Sequence, residues 1–372
     1  MYICRYMYVT DVIDVVIPSF RMDEDILLRI VNVDKPAGFK LNFYIVDDNP
    51  GLEIPSSILA LAKNGSIQLI LNETNLGFSE TRNKGIALGT GKWLLLLDDD
   101  VVPDKTLLTA YADAIAKDTD ALGFAGVTTF PEPYDMATLA LDINGNTGHS
   151  KGAKTQKELM WIPTTNIMLN RDKMDPSLFS EVLKKGGEDI EFLVRNALLN
   201  DQKYISVRDA VVEHPWWDGG HTRRLLRYGA GAAQIAPLPS IRSFTYHDFT
   251  NTIETLLLLL ICSPFIIINY SLSGLFAILS VVVLAEFITN FIRSVYLSGK
   301  YSLSLAFYLF WLKNCYEAGY LYESLSKGRL SGFAERIDMS FSKKNPSWFR
   351  LNKWKIIKTC LIVIGSLLIT SI

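Results

Sequence analysis

Short runs of apolar residues alternate with longer stretches of helical spacing along the first two thirds of the chain. A short, continuous apolar run is typical of a strand buried on both faces, whereas apolar residues three to four positions apart indicate an amphipathic helix. Strands are predicted over Val12–Ile17, Leu41–Val46, Ile67–Leu71 and Trp93–Leu97, and helices over Asp23–Val33 and Ile54–Lys63. This repetition predicts an α/β domain, a mostly parallel sheet flanked by helices.

The pattern becomes less regular after the fourth predicted strand. Pro103 suits the first turn of a new helix. The stretch Phe130–Thr155 is rich in Pro, Gly, Asn and Asp and is predicted to be a loop. Two further strands are predicted over Trp161–Asn170 and Tyr204–Val212, with a helix that begins at Glu188 between them.

Long apolar runs dominate the last third of the chain. Two of them approach the thickness of a bilayer, and the few residues between them allow only a tight hairpin with both ends on one side. We predict spans at Phe249–Asn269, Leu272–Ile292 and, marginally, Ile356–Ile372, and an interfacial helix at Ser302–Tyr322. The predicted division is therefore an α/β domain over residues 1–245 and a membrane domain over residues 246–372. The alternative for the apolar runs is a buried hairpin within a large soluble domain.

Composition and charge agree with this division. The 372 residues are 49% hydrophobic, and the mean hydropathy of +0.19 is high for a wholly soluble protein. The formal charge is −2, but Arg293–Lys358 contains twelve basic and four acidic residues, a net +8 that leaves −10 for the rest. A basic segment beside apolar runs favours anionic lipid headgroups and a cytoplasmic location for the hairpin ends. The acidic head argues against nucleic acid as a partner.

The ends and the cysteines add two expectations. Cys4, Cys262, Cys315 and Cys360 are scattered along the chain, so neither a disulfide framework nor a zinc site is indicated. The N-terminal segment has no signal-peptide pattern. We therefore expect an integral membrane protein whose α/β domain stays in the cytoplasm.

Three adjacent carboxylates, Asp98–Asp100, end the apolar run Trp93–Leu97. Carboxylates this close repel one another unless a cation neutralises them, and their oxygens suit Mg²⁺ or Mn²⁺. Because ligands of open α/β sheets bind at the carboxyl ends of strands, a metal–phosphate site is predicted here. A solvated acidic turn is the alternative.

Two other polar positions have structural interpretations of their own. Glu188 and Asp189 open a predicted helix, where the helix dipole favours acids and a capping role suffices. His214 follows a predicted strand, where a lone histidine is usually structural.

Five sequence elements occur in one order: VVIPSF, IVDD, NLGFSETRNKGIALGTGKWLLLLDDD, GGEDIEFLVR and VVEH. Together they resemble the family 2 glycosyltransferases with the GT-A fold, from Asp14 to about Ala233. The resemblance implies transfer of a sugar from a nucleotide-sugar donor with inversion, assisted by Mg²⁺ or Mn²⁺.

The resemblance also implies roles for individual residues. Asp47 matches the acid that binds the nucleotide base, and Asp189 matches the catalytic base, with Glu188 beside it. The implied donor-binding set is Pro18, Asp47, Asp48, Arg82, Asp98 and Asp99. The implied metal ligands are Asp98, Asp100 and, in some members, His214. Candidate acceptor contacts are Trp216, Trp217 and Asn166, although the two tryptophans suit a core or an interface equally well.

The acidic pair also bears on the acceptor. A hydroxyl needs a base to take its proton, whereas a phosphate acceptor is already ionised. The pair therefore favours a hydroxyl on a membrane-associated, lipid-linked saccharide. HTRRLLRYGAG stands where processive synthases have Gln-x-x-Arg-Trp, which favours the addition of one sugar. A polyprenyl-phosphate sugar synthase is the alternative among enzymes, and a non-catalytic nucleotide-binding membrane scaffold is the alternative from another class.

Overall fold

The computed structural model describes residues 11–344 and 350–370, and these divide into two compact units. The first unit comprises residues 11–132, Thr147–Lys184 and Glu188–Trp216. The second comprises Pro133–Asn146, Lys185–Gly187 and the described residues from Trp217 onward. Cys4 and the last two residues of the third predicted span lie outside the described ranges.

The strands are β1 (Asp11–Ser19), β2 (Phe39–Asp47), β3 (Gln68–Leu71), β4 (Trp93–Leu97), β5 (Val102–Pro103), β6 (Gly123–Thr129), β7 (Glu158–Leu159), β8 (Asn166–Asn170), β9 (Tyr204–Glu213), β10 (Thr245–His247) and β11 (Glu335–Ile337). The helices are α1 (Glu24–Val31), α2 (Ser56–Lys63), α3 (Phe78–Leu88), α4 (Leu107–Lys117), α5 (Met136–Ile143), α6 (Gly152–Thr155), α7 (Glu188–Asn200), α8 (His221–Ile235), α9 (Pro239–Arg242), α10 (Thr252–Ile261), α11 (Ser263–Ser298), α12 (Leu303–Ser326) and α13 (Lys353–Thr370).

The first unit is built on one sheet in the order β3-β2-β1-β4-β8-β6-β9-β5, with β7 also paired to β9. The strands β3, β2, β1 and β4 are parallel neighbours. The second half is mixed, because β8 runs antiparallel to both β4 and β6. The α/β class with flanking helices is confirmed, and the parallel part of the sheet is the half that the sequence pattern predicts.

Both faces of the central strands are covered. Successive side chains of a strand point to opposite faces, so Val15 and Ile45 belong to a core cluster with residues of α1, α2 and α4. Val16 and Val46 point the other way and meet α3 at Gly85, where an added Cβ would lie 2.5 Å from Val16. Burial on both faces explains why these strands appear in the sequence as unbroken apolar runs.

Two predictions on the middle of the chain are wrong. Pro103 does not start a helix; it lies in β5, where the lack of an N–H is tolerated because the strand is at the edge of the sheet. The stretch Phe130–Thr155 is not a loop throughout, because it contains α5 and α6. A capping box between Asp135 and Thr138 starts α5 and outweighs the turn-rich composition around it. Of the strand predicted over Trp161–Asn170, only the second half, β8, is a strand in the structure.

In the second unit, α8 and α12 touch backbone to backbone. An added Cβ at Gly229 would lie 2.0 Å from the carbonyl oxygen of Tyr316, and one at Gly319 would lie 2.0 Å from that of Leu226. Only glycine permits so close an approach. The two helices therefore form one rigid pair.

The apolar helices of the second unit meet at a buried layer of charges. Glu286 of α11 accepts from Lys313 of α12 and from Lys358 of α13, both at 2.7 Å. Lys313 also pairs with Glu317 at 2.9 Å. Thr252, the first residue of α10, donates its hydroxyl to Glu286 at 3.0 Å. Because each carboxylate has an ammonium partner, the layer fixes all four helices to one another.

Large apolar side chains are exposed on α10, α11 and α13, among them Phe265, Ile268 and Ile364. Ser271 has non-helical backbone (φ 71°, ψ 168°) and breaks α11 between the two apolar runs for which the sequence predicts a tight turn. Among the described residues, Ser263–Ser298 is the one helix whose length and composition would allow it to cross a membrane.

Candidate active site

The carboxyl ends of β1, β2 and β4 lie side by side, and Asp99 fixes the loop after β1. One oxygen of Asp99 accepts from the hydroxyl of Ser19 at 2.8 Å and from the backbone N–H groups of Phe20 and Arg21 at 2.9 and 3.0 Å. A carboxylate with this many donors is satisfied by the protein itself. Asp99 therefore shapes the site, and its neighbours Asp98 and Asp100 are better placed to bind a ligand.

Arg21 is a site residue that the sequence analysis missed. Its Nη1 lies 2.8 Å from Asp99 and 3.1 Å from Asp100, and its side chain is 56% exposed. Burial would lower the pKa of Arg21, but the charges of Asp100 and Asp99 outweigh it and raise the pKa. In the sequence, Arg21 is marked only by its position after the PSF turn at the end of β1. Its role becomes visible only because the fold brings Asp99 and Asp100 beside it.

Asp100 and His214 are brought together although they are far apart in the sequence. His214 Nε2 lies 3.4 Å from Asp100 Oδ1, which is buried and accepts no hydrogen bond from any described residue. The other ring nitrogen, Nδ1, contacts the carbonyl oxygen of Pro215. When Nδ1 carries the proton, two lone pairs face each other across this gap. Burial also raises the pKa of Asp100, despite the nearby charge of Arg21.

These two residues fit a divalent cation. A carboxylate oxygen and an imidazole nitrogen are both ligands of Mn²⁺, and carboxylates suit Mg²⁺. Within residues 11–344 and 350–370, no group of three or more His, Cys, Asp or Glu side chains is arranged to hold a metal ion. A cation at Asp100 would therefore depend on further oxygen ligands, which Mg²⁺ usually takes from substrate phosphates and water.

The second strand contributes two acids with different surroundings. Asp47 is buried, and burial raises its pKa. Asp48 accepts from Asn72 Nδ2 at 2.9 Å and from the backbone N–H groups of Leu76 and Gly77 at 2.8 and 2.9 Å. Asp48 thus holds the loop between β3 and α3. Pro18, the remaining candidate on this side, lies in β1 beside Val46.

Arg82 is buried between the two acidic motifs. Its Nη1 lies 2.9 Å from Glu188 Oε1, and its Nη2 lies 3.1 Å from Asp98 Oδ1. Burial would lower the pKa of Arg82, but these two carboxylates raise it. Its hydrogen bonds join the end of β4 to the start of α7.

Asp189, next to Glu188 at the start of α7, is partly exposed. Burial, followed by the charge of Glu188, raises the pKa of Asp189 to about 7. A carboxyl group with this pKa can take a proton near neutral pH and is still ionised often enough to do so. Glu188 is thus held by Arg82, whereas the pKa of Asp189 lies near neutral pH.

The candidate acceptor contacts are mostly engaged elsewhere. Asn166 is fully buried, accepts from the hydroxyl of Tyr111 at 2.8 Å and donates to the carbonyl of Ala210 at 2.9 Å. Trp216 is buried and donates its indole N–H to Pro131. Both therefore have structural roles. Trp217 is only partly buried in its own unit.

The family comparison agrees with this geometry. Residues 14–179 match the family model described as Glycosyl transferase family 2. The matched part of the chain is a family 2 glycosyltransferase domain. The matched residues run from within β1 through β8 and include the acids Asp47, Asp48 and Asp98–Asp100. Asp189 and His214 lie beyond the matched range.

Two relatives from Haemophilus influenzae are similar over part of the chain. An uncharacterized protein is 32% identical over 102 residues, which are 26% of this chain and 55% of the relative. An uncharacterized glycosyltransferase is 27% identical over 95 residues, 25% of this chain and 31% of the relative. The chain therefore spans about half and about a third of the lengths of these two proteins.

Solved structures are similar at low identity. The mannosyltransferase PcManGT from Pyrobaculum calidifontis, in complex with GDP-Man and Mn²⁺, is 16% identical with a TM-score of 0.47, over 60% of this chain and 62% of that chain. S. aureus TarS 1-349 is 15% identical with a TM-score of 0.46, over 89% and 97% of the two chains.

Proposed function

We propose that this glycosyltransferase moves one sugar from a nucleotide-sugar donor, with inversion, to a hydroxyl of a lipid-linked saccharide at the membrane. The observation that carries the proposal is Asp189, a partly exposed carboxyl group whose pKa is raised to about 7 at the start of α7. Arg82 connects the neighbouring Glu188 to Asp98 of the donor side. Arg82 therefore ties the neighbour of the proposed base to an acid of the proposed donor side.

On the donor side, Asp47 is proposed to bind the nucleotide base, and Asp98 to contact the donor. Asp100 and His214 are proposed to hold Mg²⁺ or Mn²⁺, since Asp100 Oδ1 is buried without a donor and faces His214 Nε2. A divalent cation, when bound, stabilises the negative charge that gathers on the departing nucleoside diphosphate. Arg21 bridges Asp99 and Asp100 with an exposed side chain, and it is proposed to contact a phosphate of the donor.

On the acceptor side, Asp189 is proposed to remove the proton of the attacking hydroxyl. The oxygen then forms its bond to the anomeric carbon as the bond to the diphosphate breaks, and a single displacement of this kind inverts the configuration. Glu188 is bound by Arg82 and lies next to Asp189. Burial, followed by the charge of Glu188, raises the pKa of Asp189 to about 7, which suits a base near neutral pH.

The membrane part of the proposal has separate support. Large apolar side chains are exposed on the helices around Ser271, and Ser263–Ser298 is long and apolar enough to cross a bilayer. The basic segment Arg293–Lys358 favours the cytoplasmic side, where we place the first unit. A reporter fused after Ile372 tests the third predicted span. Activity of a reporter that works only in the cytoplasm would mean that Ile356–Ile372 does not cross.

The test of the function is release of nucleoside diphosphate, screened across UDP-, GDP- and dTDP-sugars with Mg²⁺ or Mn²⁺ in membranes that contain lipid-linked saccharides. We expect one donor to be consumed, and the transfer to be lost in Asp189→Asn. A product with one sugar on a bare lipid phosphate, formed equally well by the variant, would instead identify a polyprenyl-phosphate sugar synthase. Donor binding without turnover under every condition would identify a non-catalytic scaffold.

A further inference from the structure

Three arginines lie on two adjacent turns of α8 without acidic partners. Arg223 and Arg227 are exposed and one turn apart, so their like charges repel, and Arg224 lies beside them. Across the described ranges, none of the three forms a salt bridge. In a chain of net charge −2, an uncompensated cluster of this kind has the electrostatics of an anion site.

Aromatic side chains hold part of this cluster in place. The guanidinium of Arg224 lies 4.8 Å from the centroid of the Trp217 ring and donates to the hydroxyl of Tyr228 at 3.4 Å. Trp217 and Tyr228 pack edge to face at 6.3 Å, and Arg227 lies 6.0 Å from the Tyr228 ring. We call these five residues the arginine–aromatic patch: Trp217, Arg223, Arg224, Arg227 and Tyr228.

The patch is carried by a rigid element. Directly behind it, Gly229 touches the backbone of α12, so α8 cannot shift without a clash. The patch also meets the segment that leads into the proposed base. A Cβ at Gly186 would lie 3.9 Å from the Tyr228 ring, and one at Gly231 would lie 2.6 Å from the Gly186 carbonyl oxygen. Gly186 precedes Asp189 by three residues in the chain.

The same end of α8 carries features of a lipid–water interface. Trp311 of α12 donates its indole N–H to the hydroxyl of Thr222 at 2.9 Å, and its side chain is 43% exposed. Phe307 stacks on Trp311 at 6.1 Å and is also exposed. Tryptophan with apolar neighbours and arginine nearby is the residue set enriched where membranes meet water.

We propose that the arginine–aromatic patch binds the phosphate or diphosphate that joins the acceptor saccharide to its lipid. Guanidinium groups match phosphate oxygens with paired hydrogen bonds, which a lone ammonium cannot do. The inference rests on the proposed function, because only a lipid-linked acceptor brings such a phosphate.

The experiment compares the full-length protein with the double variant Arg223→Gln/Arg227→Gln in a flotation assay. The probe is phosphatidylcholine vesicles that contain a polyprenyl diphosphate, read against plain phosphatidylcholine vesicles. Near a membrane each basic residue strengthens binding about fivefold, so we expect the double variant to bind the vesicles roughly 30-fold more weakly. Arg242→Gln is the matched control, since Arg242 is an exposed arginine of α9 in the same unit. It should bind as the unchanged protein does.

Two further arms separate the sources of the phosphate. Phosphatidylglycerol vesicles that bind as well as the polyprenyl diphosphate vesicles would overturn the acceptor assignment and leave a headgroup site. Inorganic pyrophosphate should compete with the vesicles for the unchanged protein but not for the double variant. That result would support recognition of the phosphate itself. Equal binding by the double variant and the unchanged protein would overturn the proposal. Nucleotide-sugar affinity is measured alongside, and an unchanged value shows that the variant is folded, whatever the fate of the proposed function.

Discussion

Arg82 Nη1 donates a hydrogen bond to Glu188 Oε1 at 2.9 Å, although 106 residues separate them in the chain. The other terminal nitrogen of the same guanidinium holds Asp98 at 3.1 Å. One buried cation therefore connects the end of β4 to the first residue of α7. Through it, the proposed donor acids and the proposed base share one electrostatic environment.

Removing this cation should destabilise the protein. In Arg82→Gln, the carboxylates of Glu188 and Asp98 lose their partner, and breaking a buried pair in this way costs about 3–5 kcal/mol. Urea denaturation measures the change in the free energy of unfolding. Arg29→Gln, at an exposed position of α1, should change it by no more than about 0.5 kcal/mol. A loss equally small in Arg82→Gln would show that the two contacts contribute little.

Asp189→Asn should abolish transfer and leave nucleotide-sugar affinity nearly unchanged. The amide cannot accept the acceptor's proton, and loss of a general base lowers the rate by about 10²–10⁴-fold. Initial rates of nucleoside diphosphate release and calorimetric donor titration measure the two quantities. Asp201→Asn, at the exposed end of α7, is the control and should retain full activity. Wild-type turnover in Asp189→Asn would contradict the assignment of the base.

The rate of transfer should rise with pH and level off above about 7, because Asp189 acts in its ionised form and its pKa is raised to about 7. The same shift affects stability with a definite sign. The folded protein holds the proton of Asp189 more tightly than the unfolded chain, so protonation of Asp189 stabilises the fold. This contribution to the free energy of unfolding is complete below pH 3.8 and is lost as the pH rises through about 7. Rate profiles and melting curves across this range measure both effects, and both should flatten in Asp189→Asn.

Mn²⁺ binding should depend on Asp100 and His214. Asp100→Asn and His214→Ala each remove one of two facing ligands, and we expect roughly 10–100-fold weaker binding, read by electron paramagnetic resonance without any turnover. Asp104→Asn is the control, because Asp104 is exposed and caps the turn at Thr106. Unchanged affinity in His214→Ala would return that histidine to a structural role.

Gly319→Ala should destabilise the second unit. The added Cβ would lie 2.0 Å from the carbonyl oxygen of Leu226, so α8 and α12 must separate. Overpacking of this kind costs about 1–3 kcal/mol and sometimes more. The melting temperature measures the loss. In the control Gly51→Ala the new methyl group meets nothing closer than 3.9 Å, and no loss is expected.

Secondary structure was predicted correctly from the sequence where the local residue pattern alone determines it. Trp93–Leu97 is a strand as predicted, because a short apolar run that is buried on both faces has few other possibilities. Pro103 was misassigned because the pairing of β5 with β9 depends on residues far away in the chain. The start of α5 was missed because its capping residues lie within a stretch whose composition indicates a loop.

The candidate site was predicted in part for the same reason. Resemblance indicated Asp98, Asp100 and Asp189, since each belongs to a short motif. It did not indicate that Arg82 would form an ion pair with Glu188, because no local pattern shows which residues a buried guanidinium will contact. Arg21 had no motif of its own and became visible only when the fold brought Asp99 and Asp100 beside it.

The pairing of β10 with β11 bears on how the protein can be produced. The boundary that the sequence predicts after residue 245 falls within β10, and the hydrogen-bonding partner of this strand, Glu335–Ile337, comes only after α12. A recombinant fragment that stops at 245 would sever this ribbon and remove the helix on which α8 rests. Expression trials should therefore extend at least through Ile337, which retains α10, α11 and α12.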